Sequence, residues 1–236
     1  MERKWWTLIV VCVGTFMLLL DITIVNVALP KIASSLHATF SDIQWVIDAY
    51  ALTLASLLLT TGSLADLIGR RLVFAIGLGL FALASLLCAL APTALFLILA
   101  RAAQGIGGAI MFSTSLALLA QEFHGRERGN AFGIWGATIG AAVAIGPLLG
   151  GALTEAFGWQ SIFFINVPIG IVAAALTITR VAESRDPGGT RIDWVGTVTF
   201  TAALFLLVLA LIRGDSVGWG STEIVLLVAG AFVLLV

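Results

Sequence analysis

Charged side chains are scarce in this chain of 236 residues. Lys, Arg, Asp and Glu make up 11% of the sequence, whereas hydrophobic residues make up 60%. Because roughly a quarter of the residues in soluble globular proteins are charged, 12 basic and 13 acidic residues are too few to cover a water-exposed surface of this size. A net charge of −1 also excludes a nucleic-acid-binding protein built on a basic surface. We therefore expect a lipid bilayer to surround most of the chain.

Cysteine, histidine and catalytic motifs are scarce as well. The two cysteines, Cys12 and Cys88, lie inside apolar runs, so they do not indicate the disulfide framework of a small secreted domain. The two histidines, His37 and His124, stand in separate loops, and neither H-E-x-x-H nor G-x-S-x-G occurs. The sequence therefore favours a protein that is not an enzyme and that needs no metal or organic cofactor.

Long apolar runs recur along the chain. A helix needs about 20 apolar residues to cross a hydrocarbon core about 30 Å thick. Seven runs satisfy this length and are predicted spans, at residues 5–27, 45–65, 72–91, 95–119, 130–153, 161–179 and 194–212. An eighth run begins at residue 224 and reaches residue 236, too short to cross unaided. We therefore expect the chain to be a piece of a longer all-α, multi-pass membrane protein.

The positions of the basic residues predict the orientation. If the N-terminus is cytoplasmic, Lys31 and Arg213 fall outside and Arg101 falls within a span. The other nine fall in inside segments: Arg3, Lys4, Arg70, Arg71, Arg126, Arg128, Arg180, Arg185 and Arg191. Since cytoplasmic segments carry an excess of Lys and Arg, we expect a cytoplasmic N-terminus in the cell membrane.

Two segments of the chain share one pattern. Residues 62–69 and 151–158 both read G-x-L-x-acid-x-x-G, 89 residues apart, with Asp66 and Glu155 as the acids. Three predicted spans separate the two copies, so the copies point in opposite directions across the membrane. This is the arrangement of a 3+3 inverted repeat, which is common in secondary transporters. Coincidence and a generic glycine turn are the alternatives.

Ionisable side chains within spans are costly in lipid and therefore indicate function. On ideal helices Asp21 lies about 6 Å and Arg101 about 9 Å below the outer interface, so we expect an ion pair between the first and fourth spans. Asp48 lies at a similar level, and Gln104 follows Arg101 by one turn. One arginine cannot pair fully with two acids, so one acid could bind and release a proton. The alternatives are an ion pair that only fixes packing and an Asp48 that is merely interfacial.

The fifth span and the connection between the second and third spans carry further signals. The fifth span combines small residues, which permit close helix packing, with a proline that favours a kink; it fits either a moving interface or a static seam. These residues are Gly133, Gly136, Gly140, Gly146, Pro147, Gly150 and Gly151. Asp66 lies at the C-terminal end of the second span, where the helix dipole disfavours an acid, and Arg70 and Arg71 could offset that cost.

Several motifs resemble those of the major facilitator superfamily, specifically its fourteen-helix drug/proton antiporter branch. The resembling segments are Gly62-x-x-x-Asp66-x-x-Gly69-Arg70-Arg71, Arg101-x-x-Gln104-Gly105-x-Gly107 and Gly146-Pro147-x-x-Gly150-Gly151 with Gly133, together with residues 20–30 and 165–170. Ala142 stands where the helix-five motif usually has Gly. The order and placement of these motifs match the family over nearly the whole chain.

The resemblance implies a fold and a set of roles. It implies a six-helix bundle over residues 1–180, a cytoplasmic linker over 181–193, and one complete and one truncated extra helix over 194–236, with a C-terminal bundle as the missing partner. It also implies proton-coupled efflux of hydrophobic or cationic drugs by alternating access, in a bacterial cell membrane. Three sets of residues would serve this activity. The coupling residues would be Asp21, Arg101, Gln104 and Asp48; the cytoplasmic gate Gly62, Asp66, Gly69, Arg70 and Arg71; and the antiporter helix would use Gly133, Gly146, Pro147, Gly150 and Gly151.

Two other readings stay open from the sequence. The protein could export one specific metabolite or antibiotic rather than many drugs. The chain as given could also be a fragment that inserts into the membrane without transporting anything.

Overall fold

The computed structural model describes residues 2–185 and 193–235, and every regular element within them is a helix. The helices are α1 (Arg3–Leu36), α2 (Phe40–Ile68), α3 (Arg70–Ala89), α4 (Ala94–Glu122), α5 (Gly125–Phe157), α6 (Ser161–Phe164), α7 (Asn166–Arg180), α8 (Trp194–Val217) and α9 (Thr222–Leu235). Most of the predicted linker, including Arg191, lies outside the described residues.

The seven predicted spans are confirmed as helices long and apolar enough to cross a membrane, with α6 and α7 together forming the span Ser161–Arg180. Most of the helices extend beyond the predicted apolar runs, although α3 ends at Ala89, two residues before the end of its run. The largest extension is that of α1, which was expected to end at Val27 and continues through Pro30 to Leu36. Hydropathy locates the lipid-embedded part of a helix, but the backbone hydrogen bonds continue into the polar interface, so the two boundaries differ.

Both copies of the internal repeat end a helix with a glycine of positive φ. Gly69 ends α2 at a φ of 127° and Gly158 ends α5 at 85°, conformations that side chains other than glycine rarely adopt. The connection between α2 and α3 is therefore shorter than expected. Asp66 and Glu155 belong to the last turns of α2 and α5, and only the final glycine of each copy makes the turn.

The helix contacts follow the symmetry expected of an inverted repeat. The main contacts join α2 with α4, α1 with α5, and α3 with both α4 and α7. In an inverted repeat, α1, α2 and α3 correspond to α4, α5 and the α6–α7 span. The contact of α1 with α5 therefore corresponds to the contact of α4 with α2, and both are present. This agrees with the 3+3 arrangement. The hairpin of α8 and α9 packs beside α2, where the hydroxyls of Thr60 and Thr201 are 2.5 Å apart.

Glycines of α4 allow the helices at the centre of the bundle to approach closely. A Cβ on Gly107 would lie 2.7 Å from the backbone nitrogen of Phe81, and one on Gly105 would lie 2.5 Å from the carbonyl oxygen of Tyr50. Real Cβ atoms are not found so close to backbone atoms, so these positions need glycine. Helix α4 is thereby held against α2 and α3, and its polar residues face the interior.

Candidate functional site

An ion pair lies in the interior of the bundle. Asp21 of α1 and Arg101 of α4 are 2% and 1% exposed, and Arg101 Nη1 lies 2.5 Å from Asp21 Oδ2. The structure therefore brings together the two residues whose depths matched along their helices. An ion pair removed from water is stable only if good geometry and further hydrogen bonds compensate both charges.

Two amides complete the coordination of the Asp21 carboxylate. Gln104 Nε2 donates to Asp21 Oδ1 at 2.9 Å, and Asn166 Nδ2 of α7 donates to the same oxygen at 3.1 Å. Gln104 also donates to Ser85 Oγ at 2.8 Å and accepts from Arg101 Nη1 at 2.6 Å. Because all members of this network are buried, the loss of one would leave a polar group without a partner in a dry environment.

The Arg101 guanidinium is held by α2 as well as by Asp21. Its Nε donates to the carbonyl oxygen of Val46 at 3.1 Å. Its Cζ lies 4.2 Å from the centroid of the Tyr50 ring and 5.9 Å from that of Phe163, which are distances of cation–π contacts. The Tyr50 hydroxyl is buried and has no hydrogen-bond partner in the part of the chain that the structure describes. The tyrosine therefore contributes its ring to this site.

The structure places Asp48 away from this cluster. Among residues 2–185 and 193–235, no hydrogen bond or ion pair joins Asp48 to Arg101, and Asp48 instead lines a cleft of about 270 Å³ between α2 and α8 with Arg213 and Asp215. Asp48 follows Val46 by two residues, which turns it about 200° around the helix. Equal depth in the membrane therefore did not mean a shared cavity, and the expected position of Asp48 beside Asp21 is corrected.

The glycines of α5 divide into two groups. Gly146 and Gly150 pack against α1 beside Asp21: a Cβ on Gly150 would lie 3.1 Å from Ile24 Cα, and one on Gly146 would overlap the hydroxyl of Thr23. A Cβ on Gly133 or Gly151 would meet nothing within 4 Å.

Two further positions of the fifth-helix motif differ in exposure. Ala142 is fully buried despite its extra methyl group. Pro147 is exposed, and α5 continues through it.

A second charged cluster lies at the turn between α2 and α3. Arg70 Nε and Nη2 lie 2.8 and 2.7 Å from Asp66 Oδ1, and Arg70 Nη1 donates to Gln121 Oε1 at 2.9 Å. The side chains of Arg70 and Asp66 are 21% and 42% exposed. As expected from the helix dipole, an arginine offsets the acid at the end of α2. A Cβ added to Gly62, one turn before Asp66, would lie 3.7 Å from Ser113 Cβ, an ordinary contact distance.

Arg71 pairs with an acid that follows α7 rather than with Asp66. Arg71 Nε lies 3.5 Å from Glu183 Oε2, and the Arg71 backbone nitrogen donates to Glu183 Oε1 at 3.1 Å. The Arg70 backbone nitrogen donates to the Ser184 carbonyl oxygen at 3.0 Å. A Cβ on Gly69 would lie 2.7 Å from Glu183 Oε1. The segment after α7 therefore covers the start of α3, and the positive φ of Gly69 is what favours glycine at this turn.

Sequence reasoning did not single out four of these residues: Asn166, Ser85, Tyr50 and Glu183. Asn166 lies in the resembling segment 165–170, and a polar residue in an apolar span was the signal that could have identified it. The same signal applies to Ser85 and Tyr50. No pattern in the sequence connects Glu183 with Arg71, because 112 positions separate them.

Comparisons with known proteins agree with this arrangement. A sequence model of the Major Facilitator Superfamily matches residues 11–236. The chain is 45% identical over 219 residues to a methylenomycin A resistance protein of Bacillus subtilis (strain 168), covering 92% of this chain and 47% of that protein. It is 41% identical over 222 residues to the multidrug resistance protein Stp of Mycobacterium tuberculosis (strain ATCC 25618 / H37Rv), covering 94% and 41%. The chain thus spans less than half the length of these relatives.

A solved structure shows the same fold. The crystal structure of a bacterial homologue of the human lysosomal transporter Spinster, in an inward-facing and unoccupied conformation, superposes with a TM-score of 0.67 at 18% identity. The match covers 99% of this chain and 60% of the other. At this level of identity the likeness concerns the fold alone.

Proposed function

This multi-pass membrane chain belongs to the Major Facilitator Superfamily, and we propose that it serves proton-coupled export of hydrophobic or cationic small molecules by alternating access. Both relatives described above are named for antibiotic or multidrug resistance. The observation that carries the proposal is the buried Asp21–Arg101 pair with its two amide donors.

Asp21 is the group that binds the coupling proton in this proposal. Its carboxylate is compensated by Arg101, Gln104 and Asn166. Protonation removes the negative charge and leaves the Arg101 guanidinium buried without its counter-ion, a state that costs several kcal/mol in a dry interior. A rearrangement that opens this region to water relieves that cost, so proton binding favours one of two conformations. Release of the proton re-forms the Asp21–Arg101 ion pair.

The charged turn between α2 and α3 is the proposed cytoplasmic gate. Asp66, Arg70, Arg71 and Glu183 connect α2, α3, α4 and the segment after α7 at one end of the bundle. Its many basic residues and the positive-inside rule support a cytoplasmic location for this end. Because these ion pairs are partly exposed, they can break and re-form at low cost during a conformational change.

The division of the chain follows the same proposal. Residues 1–180 form the N-terminal bundle, 181–193 the cytoplasmic linker and 194–236 the first and the beginning of the second extra helix. Gly133, Gly136 and Gly140 share one face of α5 at helical spacing, and a Cβ on any of them would meet nothing within 4 Å. A face of small residues suits close packing against another helix. The proposed partner for this face is a second bundle of the same protein.

Asp21→Asn in the full-length protein tests the coupling role. The amide cannot carry a proton in exchange, so efflux of a fluorescent cationic dye driven by an imposed pH gradient should be lost in membrane vesicles. Asp48→Asn is the matched control, since it removes an acid at similar depth outside the cluster and should retain most of the efflux. Undiminished proton-driven efflux by Asp21→Asn, at equal protein abundance, overturns the proposal.

A dedicated exporter of one antibiotic is the second candidate function. It is favoured by the relative named for methylenomycin A resistance, which is 45% identical. The two candidates differ in the range of compounds that protect cells expressing the full-length protein. Protection against one compound class supports the dedicated exporter, and protection against several unrelated classes supports the multidrug transporter.

A further inference from the structure

An open apolar groove runs between α1 and α7, away from the buried charges. It encloses about 330 Å³ and is lined by apolar residues: Ile9, Val10, Val13, Pro168, Ile169, Val172, Ala173 and Leu176. Val10 and Ala173 form its floor and are 1% and 2% exposed, whereas Ile9 and Val172 on its rims are 40% and 57% exposed. The groove is thus open to the surroundings of the bundle along its length.

A cation and an indole ring stand at one end of this groove. Trp6 precedes Val10 by four residues on α1, and Arg180 follows Leu176 by four residues on α7, so each continues the face that lines the groove. The Arg180 Cζ lies 5.4 Å from the centroid of the Trp6 ring. Arg180 is exposed, and within the described ranges no carboxylate pairs with it.

We infer that this groove binds an acyl chain of a membrane phospholipid whose anionic phosphate headgroup is held by Arg180. Residues 176 and 180 are about 6 Å apart along the axis of α7. A headgroup bound to Arg180 would therefore lie directly beyond the apolar end of the groove at Leu176. Basic sites between transmembrane helices attract anionic headgroups, and indole rings favour the level of the headgroups. The same end of the bundle holds the N-terminus of α1.

The chemistry of the groove favours a lipid over a transported compound. Sites for small molecules combine apolar walls with a few placed polar groups that orient the ligand, but the polar group here lies only at one end. That distribution matches a molecule with a long apolar chain and one charged end. The cation at the rim, Arg180, also gives a reason for preferring an anionic headgroup over a zwitterionic one.

Lipid retention by the purified full-length protein tests this inference. The protein is equilibrated with equal amounts of phosphatidylglycerol and phosphatidylcholine, and the bound lipid is counted by native mass spectrometry. We expect phosphatidylglycerol to be retained preferentially, and Arg180→Gln to lower its retention about fivefold, as one basic residue near a headgroup implies. Arg128→Gln is the matched control, because Arg128 also lies over an aromatic ring, with its Cζ 5.6 Å from the Phe132 centroid, but does not line the groove between α1 and α7.

Tryptophan substitutions that fill the groove provide a second, independent test. Val172→Trp should lower the retention of both lipids, because the indole occupies the space of the acyl chain; Ile9→Trp tests the same space from α1. Both side chains are substantially exposed, and an unchanged melting temperature in phosphatidylcholine shows that each variant is folded. Equal retention of the two lipids by the wild type, an effect of Arg128→Gln equal to that of Arg180→Gln, or unchanged retention in both tryptophan variants would each overturn the inference. None of these readouts depends on transport.

Discussion

The buried cluster around Asp21 and the exposed cluster around Asp66 use the same side-chain types in different surroundings. Asp21 and Arg101 have side-chain exposures of 0% and 2%, whereas Asp66 and Arg70 have exposures of 42% and 21%. In the interior, an unpaired charge is expensive, so every member of the network depends on the others. At the exposed turn, water can replace a lost partner. The same chemistry can therefore hold a conformation in one place and permit its exchange in the other.

The two clusters should differ most in the stability that is lost when an arginine is removed. Arg101→Gln leaves Asp21 buried without its cation and should lower the free energy of unfolding by about 3–5 kcal/mol, measured by thermal unfolding of the purified full-length protein. Arg70→Gln removes the partly exposed partner of Asp66 and should lower it by at most about 1 kcal/mol. The double variant Asp21→Asn with Arg101→Gln should recover part of the loss, since neither charge is then buried alone. Equal losses in the two single variants would refute the distinction.

The packing that supports the buried cluster should respond to an added methyl group. Gly150→Ala places a Cβ 3.1 Å from the Cα of Ile24. This overpacking should lower the free energy of unfolding by about 1–3 kcal/mol. Gly79→Ala adds the same group on an exposed face of α3, where an added Cβ would meet nothing within 4 Å, and should cost nothing. If both variants unfold at the same temperature as the wild type, the α1–α5 contact is looser than the structure shows.

The role of Tyr50 can be divided between its ring and its hydroxyl. Tyr50→Leu removes the ring from Arg101 and should lose a cation–π contribution of about 2 kcal/mol, the order found at desolvated sites, along with some packing. Tyr50→Phe keeps the ring and should unfold like the wild type, because the hydroxyl has no partner among the described residues. A loss in Tyr50→Phe as large as in Tyr50→Leu would show that the hydroxyl is engaged.

The smallest effect is expected at Glu183. Glu183→Gln weakens its pairing with Arg71 and should change the free energy of unfolding by at most about 1 kcal/mol at low salt. The difference from the wild type should disappear near 1 M salt, where the Debye length is about 3 Å. The cost of Arg101→Gln should persist at that salt concentration, because ions do not reach the buried pair. A loss in Glu183→Gln that is insensitive to salt would contradict the comparison.

Hydropathy and charge counts predicted the helices well because both are local properties of each sequence segment and do not depend on tertiary contacts. The same is true of the match in depth between Asp21 and Arg101, which follows from the rise of an α-helix per residue. Asp48 shows the limit of that argument. It lies at a comparable depth, but its direction around α2 depends on how the helix is rotated against its neighbours, and α2 turns Val46 and Tyr50 toward Arg101 instead.

The fifth helix shows the same limit for small residues. Its glycines look alike in the sequence, yet only Gly146 and Gly150 meet α1, while Gly133 and Gly151 have open space beside them. The pairing of Arg71 with Glu183 could not be predicted because it depends on where the chain returns after α7. In each case the missing information is the position of another element, which no local pattern contains.

The sequence by itself determined that this chain lies in a membrane, how many times it can cross, and that two charged residues lie within its spans at matching depths. These conclusions follow from the cost of placing polar groups in hydrocarbon, which acts on each segment separately. Only the tertiary structure decided that Asn166 donates to Asp21, that Asp48 stays apart, and that Glu183 covers the turn after α2. Those outcomes depend on the rotation and contact of packed helices, and these are properties of the whole bundle.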